Sequence, residues 1–351
     1  VIDSTALLEQ AVQDVIVSAF QSAGQRCSAC RLVCVQEDIT DSFIDMLSGA
    51  MRTLRTAEPS NLSTDLGPLI DDAARSKIAE HVTEMKRRHK IIGEAPAPDR
   101  TDAPYLSPIA FELNAISDLS EEIFGPVLHV VRFKANEVER VVEQVNALGF
   151  GLTMGLHTRI DARIAAVTAQ ARVGNLYINR NQIGAVVGEQ PFGGEGLSGT
   201  GPKAGGPNYL KRLSTPSMGS PDLASPTTVD LPGPTGETNT LYYAPRGRIL
   251  CLGGDQASDL DAQLQRVRET GNVPVLLRDD ELSAALEDQT LRGVIADGKI
   301  RETVAHALAH RDGAILPLLS LKDSAARFMV ERVVTIDTTA AGGNASLLAS
   351  S

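Results

Sequence analysis

Short apolar runs alternate with helical patterns through the middle of this 351-residue chain. The runs VLHVVRF (127–133), LTMGLHT (152–158) and GNLYIN (174–179) have the length and composition of buried strands. Helical patterns near 136–146 and 160–171 lie between them. Because strands that alternate with helices pair in parallel, the sequence predicts an α/β fold built on a parallel sheet.

The start of the chain follows the same scheme. Residues 7–23 place apolar side chains at helical spacing, and Gly24 is a typical helix stop. The run RLVCVQ (31–36) then predicts a buried strand, and further helices are expected near 41–54 and 71–87. We expect this first domain to span residues 1–212.

Composition changes between about 213 and 240, where Pro, Ser, Thr and Gly predominate. Such a stretch is typical of a linker or an extended segment, which we expect over 213–245. The alternation of strands and helices then resumes and predicts a second, smaller, Rossmann-like α/β domain over 246–351.

The formal net charge is −11, and 42% of the residues are hydrophobic. Nucleic-acid contact is not expected, because the basic patch that it requires is missing. No apolar run approaches the roughly 18 residues of a membrane span, and the start lacks the features of a signal peptide. We therefore expect a cytoplasmic protein with reduced thiols. The chain lacks an initiator Met, so we expect it to begin inside a longer protein, whose membrane association the sequence leaves open.

Three of the four cysteines lie close together in GQRCSACRLVC (24–34). Zinc sites use repeated CxxC pairs or cysteines with histidines, and no histidine lies within 40 residues, so no metal site is expected. A redox CxxC normally follows a strand and opens a helix, whereas this one follows a helix. Cys30 and Cys34 are interpreted as small core residues. Cys27, in the turn, is a candidate nucleophile, and its alternative is an ordinary structural cysteine.

Five motifs occur in order along the first 210 residues. Together they resemble the catalytic half of the aldehyde dehydrogenase superfamily: GQRCSA (24–29), TDLGPLI (64–70), EEIFGPV (121–127), NALGFGLTMGLHT (146–158) and QPFGGEGLSGTG (190–201). Residues 173–213 and 333–348 further resemble a family of bifunctional bacterial enzymes of proline catabolism. In that family an NAD-dependent module oxidises glutamate γ-semialdehyde to glutamate, and the long forms carry a second domain that packs against it.

The resemblance assigns roles to three residues around the cofactor. It makes Cys27 the nucleophile, whose thiolate attacks the aldehyde and forms a thioester that water hydrolyses. Glu122 matches the carboxylate that binds the ribose hydroxyls of NAD, and Phe124 matches the aromatic ring beside the nicotinamide. The plain alternatives are a solvated acid and a core aromatic residue.

The same resemblance assigns three residues to the carboxylate of the substrate. Gly184 and Ala185, in IGAVVG (183–188), would offer backbone N–H groups, and Ser28 would offer its hydroxyl. Charge-assisted hydrogen bonds of this kind are short and strong. The alternative for Gly184 is a turn former, which is also how we interpret the glycines between 193 and 201.

The resemblance also implies what lies outside the sequence. The NAD-binding half, a general-base Glu, an oxyanion-hole Asn and an FAD-dependent proline dehydrogenase module all precede the cysteine motif in relatives, so we expect the isolated chain to be inactive. Its expected partners are a small aldehyde substrate, the rest of its own polypeptide and further copies in a homo-oligomer. CLGGD (251–255) departs from the GxGxxG fingerprint and is interpreted as a degenerate structural copy of a dinucleotide loop.

Three alternatives stay open from the sequence. The first is an aldehyde dehydrogenase with another substrate. The second is a structural or oligomerisation module formed by residues 213–351. The third is redox sensing by Cys27 and Cys30.

Overall fold

The computed structural model describes residues 1–213, 228–277 and 282–339 of the chain. Its α-helices are α1 (Leu8–Phe20), α2 (Glu37–Met51), α3 (Asp72–Arg88), α4 (Val138–Ala147), α5 (Asp161–Gln170), α6 (Tyr209–Leu213), α7 (Asp259–Glu269), α8 (Leu282–Leu286) and α9 (Ile300–Ala309). Among these described residues, no helix has both the length and the apolar character needed to cross a bilayer.

The strands form three main sheets and one short pair. They are β1 (Leu32–Gln36), β2 (Lys90–Glu94), β3 (Ile109–Leu113), β4 (Val127–Phe133), β5 (Phe150–Gly151), β6 (Thr153–Leu156), β7 (Asn175–Ile178), β8 (Glu195–Gly196), β9 (Thr228–Leu231), β10 (Glu237–Pro245), β11 (Arg248–Cys251), β12 (Val273–Leu276), β13 (Leu291–Ile295), β14 (Leu318–Leu319) and β15 (Met329–Asp337).

The first sheet has the order β1-β4-β3-β2. Strands β1, β4 and β3 pair in parallel, and β2 adds an antiparallel edge. Helices α1 and α2 pack together against it, and Phe43, Leu47 and Phe111 are fully buried in the core between these layers. The predicted α/β class with parallel strands is therefore confirmed.

Residue Ile2 joins the first sheet to the second. Its N–H donates to the carbonyl of Cys34 in β1, and the isolated bridge that it forms with His157 continues β6 on its other side. The second sheet then runs β6-β7-β15-β10-β9. Ile2 thus joins the first and second sheets edge to edge. Through it β1, the strand that follows Cys27, is connected to β15 and β10 in the C-terminal part of the chain.

The segment predicted as a linker or extended connection contains two strands in its described part. Within β10, Asn239, Leu241 and Tyr243 are buried and alternate with more exposed neighbours, which is the period of a strand with one covered face. The strand β10 pairs antiparallel with β15, and β15 pairs in parallel with β7 of the first 212 residues. Residues 214–227 lie outside the described residues.

The third sheet belongs to the C-terminal unit and has the order β12-β11-β13-β14, with every pair parallel. Its two faces bury separate apolar clusters around Val294 and around Ile249. A small α/β unit was predicted here. The structure shows in addition that β15, which follows this sheet in the chain, belongs to the second sheet. Strands from both sides of the predicted boundary at residue 245 thus share that sheet, while the domain bounds themselves stay a prediction. Residues 340–351 lie outside the described residues.

Candidate active site

The loop that carries Cys27 follows α1 through a left-handed turn. Ser22, Ala23 and Gly24 have φ values of 58°, 54° and 66°. A Cβ on Gly24 would stand 2.2 Å from the carbonyl oxygen of Gly125, so this contact requires glycine. The close approach brings the cysteine loop against the EEIFGPV loop.

Cys27 is exposed, whereas the other two cysteines of the cluster are buried. Burial raises the pKa of the Cys30 thiol and raises that of Cys34 to about 11. Since the thiolate is the reactive form, these two thiols are unsuited to redox chemistry or metal binding at neutral pH. Among the described residues, no group of His, Cys, Asp and Glu side chains has the arrangement of a metal site. The interpretation of Cys30 and Cys34 as core residues agrees with this geometry.

Arg31 connects the cysteine loop with Glu122 and Phe124. Its guanidinium donates to the carbonyls of Gly24 and Arg26, the latter at 2.9 Å, and pairs with the Glu122 carboxylate at 3.2 Å. The same group lies 4.7 Å from the centre of the Phe124 ring. Burial lowers the pKa of Arg31, and the neighbouring Glu122 acts in the opposite direction. Arg31 was not among the residues predicted from the sequence.

Glu122 and Phe124 both reach solvent beside this arginine. The Glu122 side chain is 38% exposed and the Phe124 residue 45% exposed, which is unusual for a phenylalanine. The structure therefore brings Cys27, Glu122 and Phe124 to one region through Arg31. A cavity of about 200 Å³ lies there, lined by Cys27, Arg31 and Glu122 among others.

The segment containing Gly184 and Ala185 is tied to the cysteine loop. The Gln182 side-chain amide donates to the Ser28 carbonyl at 3.1 Å, and its backbone N–H donates to the Ser18 hydroxyl. Gly184 is exposed with φ of 75°, and a Cβ there would meet open space. Ala185 is half-buried and Ser28 is buried, at 5% exposure.

Two residues that the sequence analysis did not assign hold the far end of this loop. Gln190 is 2% exposed, and its Oε1 accepts from the Val186 N–H at 3.2 Å. Its Nε2 donates to Oε1 of Glu237 at 2.7 Å. The other oxygen of Glu237 pairs with Arg180. Strand β10 therefore contacts the predicted substrate loop directly.

The CLGGD loop after β11 is occupied by the chain's own side chains. The Gly253 N–H donates to Oε1 of Gln263 at 2.8 Å, and Gln263 Nε2 donates to the Gly253 carbonyl at 2.8 Å. Gln263 is fully buried and also donates to Asp297. A pyrophosphate needs such loop N–H groups free of partners, so this geometry supports the interpretation as a structural copy.

The parallel α/β fold described above is that of a family of aldehyde dehydrogenases. The model of the aldehyde dehydrogenase family matches residues 1–217, and the chain belongs to that family.

Relatives and solved structures show which members of this family the chain is similar to. The bifunctional protein PutA of Salmonella typhimurium is 40% identical over 430 residues, which cover 99% of this chain and 32% of that protein. The structure of proline utilization A from Corynebacterium freiburgense aligns with a TM-score of 0.76 at 25% identity, over 96% of this chain and 38% of that one. A 1-pyrroline-5-carboxylate dehydrogenase from Thermus with bound NAD aligns with a TM-score of 0.56 at 31% identity, over 60% of this chain and 40% of that one. The chain thus spans about a third of the length of the curated relatives that it matches.

Proposed function

We propose that the chain forms part of an NAD-dependent dehydrogenase that oxidises glutamate γ-semialdehyde, the open form of 1-pyrroline-5-carboxylate, to glutamate. The observation that carries this proposal is the exposed thiol of Cys27 on a loop that Arg31 fixes against Glu122 and Phe124. Similarity to the PutA proteins and to 1-pyrroline-5-carboxylate dehydrogenases supports the substrate.

Cys27 acts as the nucleophile in this proposal. Its sulfur attacks the aldehyde carbon, and the oxygen of the aldehyde gains negative charge. Backbone N–H donors aimed at such an oxygen typically lower the barrier by about 3 kcal/mol each. Loss of hydride from the same carbon then leaves a thioester on Cys27, which water hydrolyses to the free acid and the thiol.

Glu122 and Phe124 are proposed to hold NAD, which supplies the hydride acceptor when it is bound. The two residues fit this group, because an exposed ring next to an exposed carboxylate offers a stacking surface and two acceptors for a diol. The Arg31 guanidinium positions both side chains, because it pairs with the Glu122 carboxylate and packs against the Phe124 ring. Similar proteins include bifunctional PutA proteins, and we extend the proposal to a bifunctional parent enzyme in which an FAD-dependent proline dehydrogenase module precedes this part.

Gly184 and Ala185 are proposed to bind the carboxylate of the aldehyde. The exposed, uncrowded backbone at Gly184 leaves room for the carboxylate to approach the N–H groups. Ser28 is a buried residue of the adjacent cysteine loop, and Gln182 connects the two segments through the Ser28 carbonyl. Its hydroxyl is proposed as the third donor.

The test is the reduction of NAD by the natural full-length polypeptide with glutamate γ-semialdehyde as substrate. We expect turnover in the wild type and its loss, by a factor of at least about 10³, in Cys27→Ala. Cys30→Ser serves as the matched control and should retain activity, since Cys30 is a buried core residue. Full activity of Cys27→Ala would remove the proposed nucleophile, and a wild type inactive on this aldehyde would remove the proposed substrate.

A further inference from the structure

A second cavity, of about 980 Å³, lies between the end of the first 212 residues and the C-terminal unit. Its lining comes from the segments 194–212, 243–246, 291–292 and 314–331. These lining residues are distinct from those of the cavity at Cys27. The volume is at the upper end of the range for small-molecule pockets, about 300–1,000 Å³.

The cavity lies at the edge of the third sheet where its parallel strands begin. Arg246 lies two residues before β11, Arg292 is the second residue of β13, and Pro317 immediately precedes β14. These positions mark the amino ends of parallel strands. Nucleotides in doubly wound sheets bind at the carboxyl ends, where Gln263 fills the CLGGD loop. The cavity is therefore separate from the degenerate dinucleotide site.

The lining is positively charged although the chain as a whole carries −11. Its basic side chains outnumber its acids, six to three: Lys203, Arg212, Arg246, Arg292, Lys322 and Arg327 against Glu195, Asp323 and Glu331. Lys203 adds little to this charge, because burial lowers its pKa to about 7 and its Nζ donates to Asn175 and to the Gly193 carbonyl. Two of the acids already have partners. Glu195 pairs with Arg332 at 2.8 Å, and Glu331 accepts hydrogen bonds from the Lys203 N–H and from Asn208.

Two arginines of the lining have no carboxylate within hydrogen-bond distance among the described residues. Arg246 donates through Nε to the carbonyl of Arg327 at 2.7 Å, and no ion pair joins it to a carboxylate of the described residues. Burial lowers the pKa of Arg246 to about 10; the carboxylates of Glu195 and Glu331 oppose this effect and Arg212 adds to it. The buried Nε of Arg327 has no hydrogen-bond partner among the described residues, and the Asp323 carboxylate stands 4.0 Å away. Burying a guanidinium without a counter-charge is costly, so an anion in this cavity would be stabilising.

We propose that this cavity binds a small metabolite with at least two negative charges, held through phosphate or carboxylate oxygens by Arg246, Arg327 and Lys322. Guanidinium groups bind both kinds of oxyanion with paired, charge-assisted hydrogen bonds. Tyr243 is assigned as a neutral donor, because its hydroxyl oxygen already accepts from Asn208 at 3.2 Å. Such a ligand would bridge the two units of the chain at a place remote from Cys27.

The test is isothermal titration of the full-length protein with inorganic pyrophosphate and, separately, with citrate, in a buffer of low ionic strength. We expect saturable binding of at least one of them. Tighter binding of pyrophosphate identifies a phosphate compound, and tighter binding of citrate identifies a polycarboxylate. Arg246→Gln should weaken the binding by about tenfold or more, which corresponds to one charge-assisted contact of about 1.4 kcal/mol. Arg140→Gln, on the exposed face of α4, is the matched control and should bind as the wild type does.

Measuring the melting temperature provides a second test that does not depend on the folding of Arg246→Gln. Pyrophosphate or citrate should raise the melting temperature of the wild type and of Arg140→Gln. Lys322→Gln, at an exposed position, should fold normally and show a smaller rise. Absence of saturable binding in the wild type, or unchanged affinity in both cavity variants, would overturn the proposal.

Discussion

Arg180 and Glu237 form an ion pair between the end of β7 and the beginning of β10. Both side chains are largely buried, at 18% and 12% exposure. The second oxygen of Glu237 holds Gln190, which in turn accepts from the Val186 N–H of the proposed substrate loop. The C-terminal part of the chain therefore supports the loop that is proposed to bind the aldehyde's carboxylate.

Glu237→Gln tests this support. The change removes the charge that pairs with Arg180, and hydrogen bonds to charged groups contribute about 1.5–3 kcal/mol. We expect KM for glutamate γ-semialdehyde to rise about tenfold while kcat changes little, since Glu237 acts on binding through Gln190. A neutral aldehyde should show no such rise. Glu139→Gln, on an exposed turn of α4, is the control, and an equal change of KM for both aldehydes would show a general structural role instead.

Gly24→Ala tests the contact that brings the two loops together. The added Cβ would collide with the Gly125 carbonyl, so we expect destabilisation of about 2–4 kcal/mol. Gly184→Ala is the matched comparison, because Gly184 also has a positive φ but meets open space and should lose only about 1 kcal/mol. Hydrogen exchange of the peptides around each site measures both. Similar losses at the two sites would contradict the crowding described at Gly24.

The burial of His129 should make the stability of the protein depend on pH. Its Nδ1 lies 2.9 Å from the Arg31 carbonyl and therefore carries the proton, which leaves Nε2 to accept from His81 at 3.0 Å. Burial lowers the pKa of His129 from 6.5 to about 4. Between these values the unfolded chain binds one more proton than the folded one. The free energy of unfolding should therefore fall as pH decreases, by about 1.4 kcal/mol per pH unit from this residue.

The corresponding measurement compares His129→Gln with the wild type. Hydrogen exchange of the β4 peptide at pH 4.5 and 6.5 should show a smaller acid-induced loss of protection in the variant. His306→Gln, at an exposed position of α9, should keep the wild-type dependence. An identical dependence in all three proteins would show that His129 is not the titrating group.

Thiol accessibility provides a further test. Cys27 is exposed, and Cys30, Cys34 and Cys251 are buried. Alkylation of the native full-length protein followed by peptide mapping should therefore label Cys27 well before the other three. Equal rates for Cys27 and Cys30 would favour the redox pair that the buried position of Cys30 argues against.

Periodicity alone predicted most elements of the first unit. The strand β4 has the bounds expected from VLHVVRF, and α5 falls within 160–171. Helix α2 begins at Glu37, earlier than expected, because it follows β1 without a loop and Thr40 donates to the Gln36 carbonyl. Strands β2 and β3 were missed, since their apolar residues do not continue the alternation of strands and helices on which the prediction was based.

The strand β10 was missed for a different reason. Its alternation of buried and exposed residues is visible in ETNTLYYAP, but the surrounding Pro, Gly and Thr content favoured a linker. Strand pairing over a separation of more than 150 residues, as between β7 and β15, leaves no local trace in one sequence. The same limit explains why Glu237 and Gln190 were not assigned.

Motifs in the sequence nominated three of the candidate site residues, whose roles stay a prediction. Cys27, Glu122 and Phe124 belong to short ordered motifs, and the structure brings their loops together. Arg31 has no motif of its own, and its only sequence signal is a charge placed between a buried cysteine and a buried strand. Only the three-dimensional structure shows that the Arg31 guanidinium packs against the Phe124 ring and pairs with Glu122.

Mass spectrometry of the full-length protein, quenched during turnover with NAD and glutamate γ-semialdehyde, can show whether Cys27 is the nucleophile. We expect a transient glutamyl adduct on the peptide that contains Cys27, absent when NAD or the aldehyde is omitted. Steady NADH formation without any adduct at Cys27, or with the adduct on another residue, would contradict that role.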